Sequence, residues 1–150
     1  ATHRDRSLHF RKLSQRDMFA AIPAAHPLAS RETIDLRECG EESFVNLSED
    51  TNLQQFLNQM FQKAGFVPKV VMTCDYTLRD QMVAEGHGVS ITTRLGAQKS
   101  NVSGTVAIPI TYPAEKRKLG LVWRKKRVFS VPMEKFYNVA NHFYSDIKKL

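Results

Sequence analysis

Cysteine is scarce in this 150-residue chain: there are two, Cys39 and Cys74, far apart and outside any C-x-x-C pattern. That excludes a disulfide framework and a cysteine zinc site, and leaves two free thiols that pack as small hydrophobes. Five histidines are scattered without an i,i+4 pair or an H-E-x-x-H signature, so neither metal nor cofactor is expected. No serine lies in a G-x-S-x-G elbow, so no catalytic residue is assigned and the chain does not read as an enzyme. No apolar run approaches the roughly 18 residues of a membrane span. The first residues, "ATHRDRSLHFRKLSQRD", carry charge and no hydrophobic signal region, so a cytoplasmic protein without membrane contact is expected.

What is present is ordinary in amount and uneven in placement. Hydrophobic residues make up 42% and charged residues 25%, the balance of a globular protein, and a chain of this length buries about 68 to 70% of its unfolded surface. The net charge is +7. Residues 1–29 hold five basic and two acidic side chains (+3), residues 30–98 six and ten (−4), and residues 99–150 eleven and three (+8). Both ends are basic and the middle is acidic, as expected if the termini share one lobe and the middle forms another.

Strand-like and helix-like stretches alternate. "DMFAAIPAAHPLA" reads as a short apolar strand broken by Pro23 and then an irregular segment closed by His26-Pro27, and "TIDLRECGEE" as one helical turn capped by Asp35 and stopped by Gly40. "SFVNL" and "KVVMTC" are short strands. Between them Leu53, Phe56, Leu57, Met60, Phe61 and Ala64 form one helical stripe, with Thr51 and Gln54 at capping-box spacing and Gly65 and Pro68 as stops. Asp75 or Thr77 caps a second helix through Leu78, Met82 and Val83, and Val89 and Ile91 then begin a strand. After the polar loop "GAQKSNVSG" come the strands "TVAIPI" and "KLGLVW". A basic turn, "RKKR", leads to a last helix with Ser130 as cap and a stripe of Met133, Phe136, Tyr137, Ala140, Phe143, Tyr144 and Ile147. An α/β class with a largely parallel sheet follows.

Three stretches carry chemical interest. In "MVAEGHGVSITTR" the glycines follow a helix and precede a strand, the reverse of a phosphate loop. Gly86 is therefore a left-handed helix stop, and His87 a turn residue. "KRKLGLVWRKKR" suggests nucleic acid with Trp123 as a stacking platform, but a solvated basic face with Trp123 turned to the core is the simpler reading. Strand ends at Ser48–Asn52, Cys74–Thr77 and Ser90–Thr93 offer hydroxyls and helix N-termini where α/β folds gather ligands, or merely ordinary caps.

"HPLA" after a strand, "IDLREC" leading to "SFVNL", a helix ending "AGFVP", "MVAEGHGVSITTR" and "LGLVWRKKRVFS" occur in this order from Phe19 to Tyr144. In this the chain resembles the effector-binding domain of LysR-type transcriptional regulators, without its N-terminal part. The resemblance implies a fold like the type 2 periplasmic binding proteins, two α/β lobes joined by two crossing strands. The terminal lobe would be 1–27 and 93–150, incomplete at its N-terminal side, and the inserted lobe 28–92. It further implies that a small, anionic metabolite binds between the lobes and controls DNA binding by a helix-turn-helix outside these residues. Pocket positions would be Ser48, Thr51, Asp75, Thr77, Thr92 and Thr93, with Ser14 before the first crossing. The resemblance also implies a homodimer or tetramer, and contact with DNA only through the absent N-terminal domain. Thr93 stands where many relatives have proline, and Cys39 where leucine is usual. The alternative on the same fold is a solute-binding protein of a transporter.

Overall fold

The computed structural model describes residues 6–93 and 103–147, with side chains to Ser145. Arg94, most of the "GAQKSNVSG" loop and the Ile147 side chain lie outside the described residues. The chain separates into two compact units, one made of Ala1–Arg16 with Lys118–Leu150 and the other of Asp17–Arg117.

The Asp17–Arg117 unit begins with β2 (Met18–Pro23), a 3-10 turn (Pro27–Ser30), β3 (Ile34–Asp35) and a second 3-10 turn (Leu36–Cys39). It continues through β4 (Ser43–Leu47), α1 (Asn52–Ala64), β5 (Lys69–Cys74), α2 (Tyr76–Ala84), β6 (Ser90–Thr93) and β7 (Thr105–Tyr112). One sheet has the order β3-β7-β2-β6, and a second pairs β4 with β5. The pairs β4–β5 and β3–β7 are parallel, but β2 runs antiparallel to both β6 and β7. The largely parallel sheet expected from the sequence is therefore corrected to a mixed one. Helix α1 crosses over between β4 and β5 and so returns the chain parallel. By contrast β6 and β7 come back along the two edges of β2, with Phe19 opposite both Thr92 and Pro109. This pairing holds β6 inside the unit, whose joints fall at Arg16/Asp17 and Arg117/Lys118.

Local signals explain the elements. Asp35 caps the Leu36–Cys39 turn: its Oδ1 accepts from the Arg37 N–H at 2.9 Å, while Glu38 Oε1 accepts from the Asp35 N–H at 2.9 Å. Both halves of a capping box are present there. At α1 only one half forms. Thr51 Oγ1 accepts from the Gln54 N–H at 3.1 Å, but the Thr51 N–H donates to the Ser48 carbonyl at 3.0 Å, leaving the Gln54 side chain no role at the cap. Gln54 is instead fully buried and accepts from the Leu47 N–H at 3.1 Å, tying the end of β4 to α1.

The core gathers Met18, Ile22, Ile34, Leu36, Phe44, Leu47, Leu57, Met60, Phe61 and Ile91. Phe44 meets Phe61 edge-on at 5.0 Å between centroids, and Phe66 closes the group against Phe61 at 5.5 Å. Each such side chain contributes about 1.5 to 3 kcal/mol of burial free energy.

The other unit pairs β1 (Leu8–Arg16) with β8 (Arg117–Arg124) and carries α3 (Val131–Ile147). Trp123 packs among His9, Phe129 and Tyr137, with centroids 5.4, 5.4 and 5.7 Å away, and Arg11 Nε donates to Asn141 Oδ1 of α3 at 2.9 Å. Leu13 is the only buried hydrophobic side chain among the described residues of this unit. The expected apolar stripe of α3 is only partly packed: Met133, Tyr137 and Tyr144 are half-buried, whereas Phe136 and Phe143 are exposed. Among the described residues no helix is long and apolar enough to cross a membrane.

Candidate functional site

The candidate residues follow the ends of the parallel strands. Leu47 lies opposite Cys74 in the β4–β5 register, so Ser48 and Asp75 leave neighbouring strands side by side, about 4.8 Å apart in the pairing direction. A parallel bridge between Phe44 and Val89 places the start of β6 on the other side of β4. Three residues beyond that bridge, on a strand running the same way as β4, stands Thr92. Ser48, Thr51, Asp75, Thr77, Thr92 and Thr93 all belong to the Asp17–Arg117 unit, at or just after the carboxyl ends of β4, β5 and β6. Ser14 lies in β1 of the other unit and is buried.

The roles of these side chains differ. The Thr51 hydroxyl donates to the Ser48 carbonyl at 2.9 Å and accepts from Gln54, so it is a helix cap first. Asp75 Oδ1 accepts from the Thr77 and Leu78 N–H groups at 2.8 and 2.9 Å. This carboxylate already answers the positive end of α2, which leaves the neutral-capped α1, with no acidic residue in its first turn, as the end that favours an anion. Thr77 is exposed. Thr92 is 3% exposed, and among the described residues its hydroxyl has only a long contact, 3.5 Å, to the Thr93 carbonyl, beyond the usual range of about 2.5 to 3.0 Å. A buried hydroxyl so weakly held retains hydrogen-bonding capacity.

One residue of interest escaped the sequence reading. Arg79 on α2 is 2% exposed, its Nε and Nη2 donate to Asp80 Oδ1 at 2.9 and 2.6 Å, and its Nη1 is buried with no partner among the described residues. Its field acts on the Cys74 thiol at the end of β5, although burial dominates there and pushes that thiol up. A buried guanidinium with a spare N–H edge is suited to a carboxylate or phosphate oxygen. The legible signal was spacing: Arg79 stands four residues before the buried Val83, on the inward face, whereas Leu78, read as part of the stripe, is 40% exposed.

A family model described as the LysR substrate binding domain matches residues 1–143. The chain belongs to the LysR substrate-binding domain family. The HTH-type transcriptional regulator YybE of Bacillus subtilis (strain 168) is 33% identical over 135 residues, covering 88% of this chain and 45% of YybE. This LysR domain therefore spans a little under half the length of that relative. The effector-binding domain of QuiR in complex with shikimate matches 97% of the chain and 69% of its own, with a TM-score of 0.81 at 19% identity. The BenM effector-binding domain with benzoate matches 96% and 66%, with a TM-score of 0.82 at 19% identity. The fold is that of LysR effector-binding domains, α/β and like the type 2 periplasmic binding proteins.

Within this LysR domain the stretch from Gly86 to Gly88 is a joint. Gly86, at φ 86°, follows the end of α2, and the N–H groups of Gly86 and His87 donate to the Val83 and Met82 carbonyls, both at 3.0 Å. These two bonds form a Schellman stop. His87 rides on the surface beside Glu85, with 3.5 Å between its Nε2 and a Glu85 carboxylate oxygen. Gly88 is needed for another reason: a Cβ there would lie 2.5 Å from the Ser43 carbonyl oxygen, where the Val89 N–H donates to that same oxygen at 2.8 Å.

Proposed function

We propose that the chain is the ligand-sensing part of a LysR-type transcriptional regulator, non-enzymatic and cytoplasmic, acting as a homo-oligomer. The match of residues 1–143 to the substrate-binding domain model carries this reading. The description of YybE as a transcriptional regulator favours it over a solute-binding protein of a transporter. The effector is a small carboxylate or similar anion held at the carboxyl ends of β4, β5 and β6. Ser48 and Thr51 offer the α1 terminus, Thr92 and Thr93 hydroxyls from β6, Thr77 a rim contact, and Arg79 the positive charge. Asp75 positions α2 as its cap. The lobes are proposed as 28–92 and 1–27 with 93–150, as the resemblance implies.

A sensor needs only micromolar affinity, about −8 kcal/mol, and a ligand at a hundred times its Kd stabilises the fold by about 2.7 kcal/mol. Thermal-shift measurements with shikimate, benzoate and related small carboxylates are expected to find a stabilising ligand. Thr92→Val and Arg79→Met are each expected to remove that shift. Thr51→Ser, which keeps the cap, should retain it, whereas Thr51→Val also costs about 1 kcal/mol of stability through the cap itself. A shift that survives both Thr92→Val and Arg79→Met would place the effector elsewhere.

A further inference from the structure

The basic turn after β8 has no part in the effector site, and its surroundings are unusual for this protein. Arg124, Lys125, Lys126 and Arg127 form a β-turn closed by the Arg127 N–H donating to the Arg124 carbonyl at 2.9 Å. Four consecutive cations are thereby held where the chain ends of the turn lie within about 7 Å. The Lys125 N–H donates to the Ser7 carbonyl at 2.9 Å, which brings Arg6 to the same end of the β1–β8 ribbon. Arg6, Leu8, Arg124, Lys125 and Lys126 line a cleft there of about 710 Å³. The four turn cations and Arg6 are all exposed.

In the Asp17–Arg117 unit Arg31, Arg37, Lys63, Arg79 and Lys116 pair with Glu38, Asp35, Glu115, Asp80 and Asp17. No carboxylate among the described residues pairs with Arg6 or with any cation of the turn. Concentrated charge of one sign, left without its counter-charge, attracts an anionic partner from solution.

Trp123 narrows the class of partner. It packs with His9, Phe129 and Tyr137 and does not line the cleft, so the cleft has no aromatic platform for an unstacked base. What the cleft offers is cationic reach alone. Four cations line it, Arg6 from before β1 and Arg124, Lys125 and Lys126 from the turn, with Arg127 next in the chain; they outnumber the needs of one isolated anion, and they suit a row of repeated phosphates. Duplex DNA carries one negative charge for about every 1.7 Å of its axis.

We infer that the cleft at the end of β1 and β8 clamps the phosphodiester backbone of duplex DNA, without reading sequence. This contact is additional to any made by a helix-turn-helix, and it stands whether or not the effector site is placed correctly.

The test is fluorescence anisotropy of a labelled 20-base-pair duplex of mixed sequence, titrated with the 150-residue protein at several salt concentrations. Binding is expected at low salt, and log K should fall linearly with log salt, with a slope of about −0.9 for each phosphate neutralised. The double variant Lys125→Glu/Lys126→Glu should weaken binding at least tenfold and flatten the slope by about two units. Lys125→Arg/Lys126→Arg keeps the charges and should bind like the parent, which separates lost charge from lost folding. The control is Lys12→Glu/Lys135→Glu, an equal charge change on exposed residues of the same unit. If that control weakens binding as much, the attraction belongs to the whole molecule and the proposal fails. It also fails if inorganic phosphate displaces the duplex at constant ionic strength, since the cleft would then be a site for a small anion, or if the parent protein does not bind the duplex at all.

Discussion

Burial decides what the two cysteines can do. Cys39 is 1% exposed on the Leu36–Cys39 turn, and desolvation, with smaller contributions from Glu42, Glu38 and Asp35, pushes its thiol up to about 12. The thiolate is the reactive form, so Cys39 is inert in the native protein on both counts. Cys74 is half-buried and its thiol is raised too, yet part of it faces solvent. Native protein treated with an alkylating agent at pH 8 should therefore label slowly at Cys74 and not at Cys39, while both label in denaturant. Mass spectrometry of the peptides reads the difference, and labelling of native Cys39 at the Cys74 rate would contradict the packing. The sequence made these thiols legible as unpaired. It could not rank them, because the ranking depends on which neighbours the fold supplies.

Among the elements, those whose signals are local were legible and those made by distant partners were not. The cap at Asp35, the α1 stripe and the stop at Gly86 each rest on residues within a turn of one another, and all three stand in the structure. Strand β1 was missed because its residues Leu8–Arg16 interleave Arg11, Lys12 and Arg16 with only three apolar side chains, and pairing with β8 makes it a strand. The buried Arg79 was missed for a related reason: a charged residue on an inward face reads as an exposed one. Of the two glycines around His87, one was legible from the helix end and the other was not. Gly86→Ala forces a side chain into the left-handed region, at a cost of about 1 to 2 kcal/mol, but meets nothing within 4 Å. Gly88→Ala puts a Cβ against the backbone of Ser43, at the bridge that ties β6 to β4. Urea denaturation should show the larger loss for Gly88→Ala, on the order of 3 kcal/mol or more. Equal losses would mean that the bridge yields without cost.

For the molecule as a whole, stability should be unequal between the units. Every residue of the main hydrophobic cluster falls in Asp17–Arg117, while the other unit rests on Leu13, an aromatic group around Trp123 and a ribbon of two strands. A two-stranded ribbon is marginal by itself. Charge adds to the contrast. With these joints Asp17–Arg117 carries nine basic and twelve acidic side chains (−3), and the remainder thirteen and three (+10). Self-repulsion therefore weighs on the unit that has less burial to oppose it. Local opening is easiest where buried apolar area is least. Hydrogen exchange followed by mass spectrometry should thus find the amides of α3 exchanging much faster than those of α1, although α3 has 17 residues and α1 has 13. Raising the salt concentration should slow α3 in particular, because screening over about 8 Å at physiological ionic strength relieves repulsion within the basic unit. Uniform protection across both helices would show that the chain opens as one cooperative body, with the basic unit held by something other than its own core.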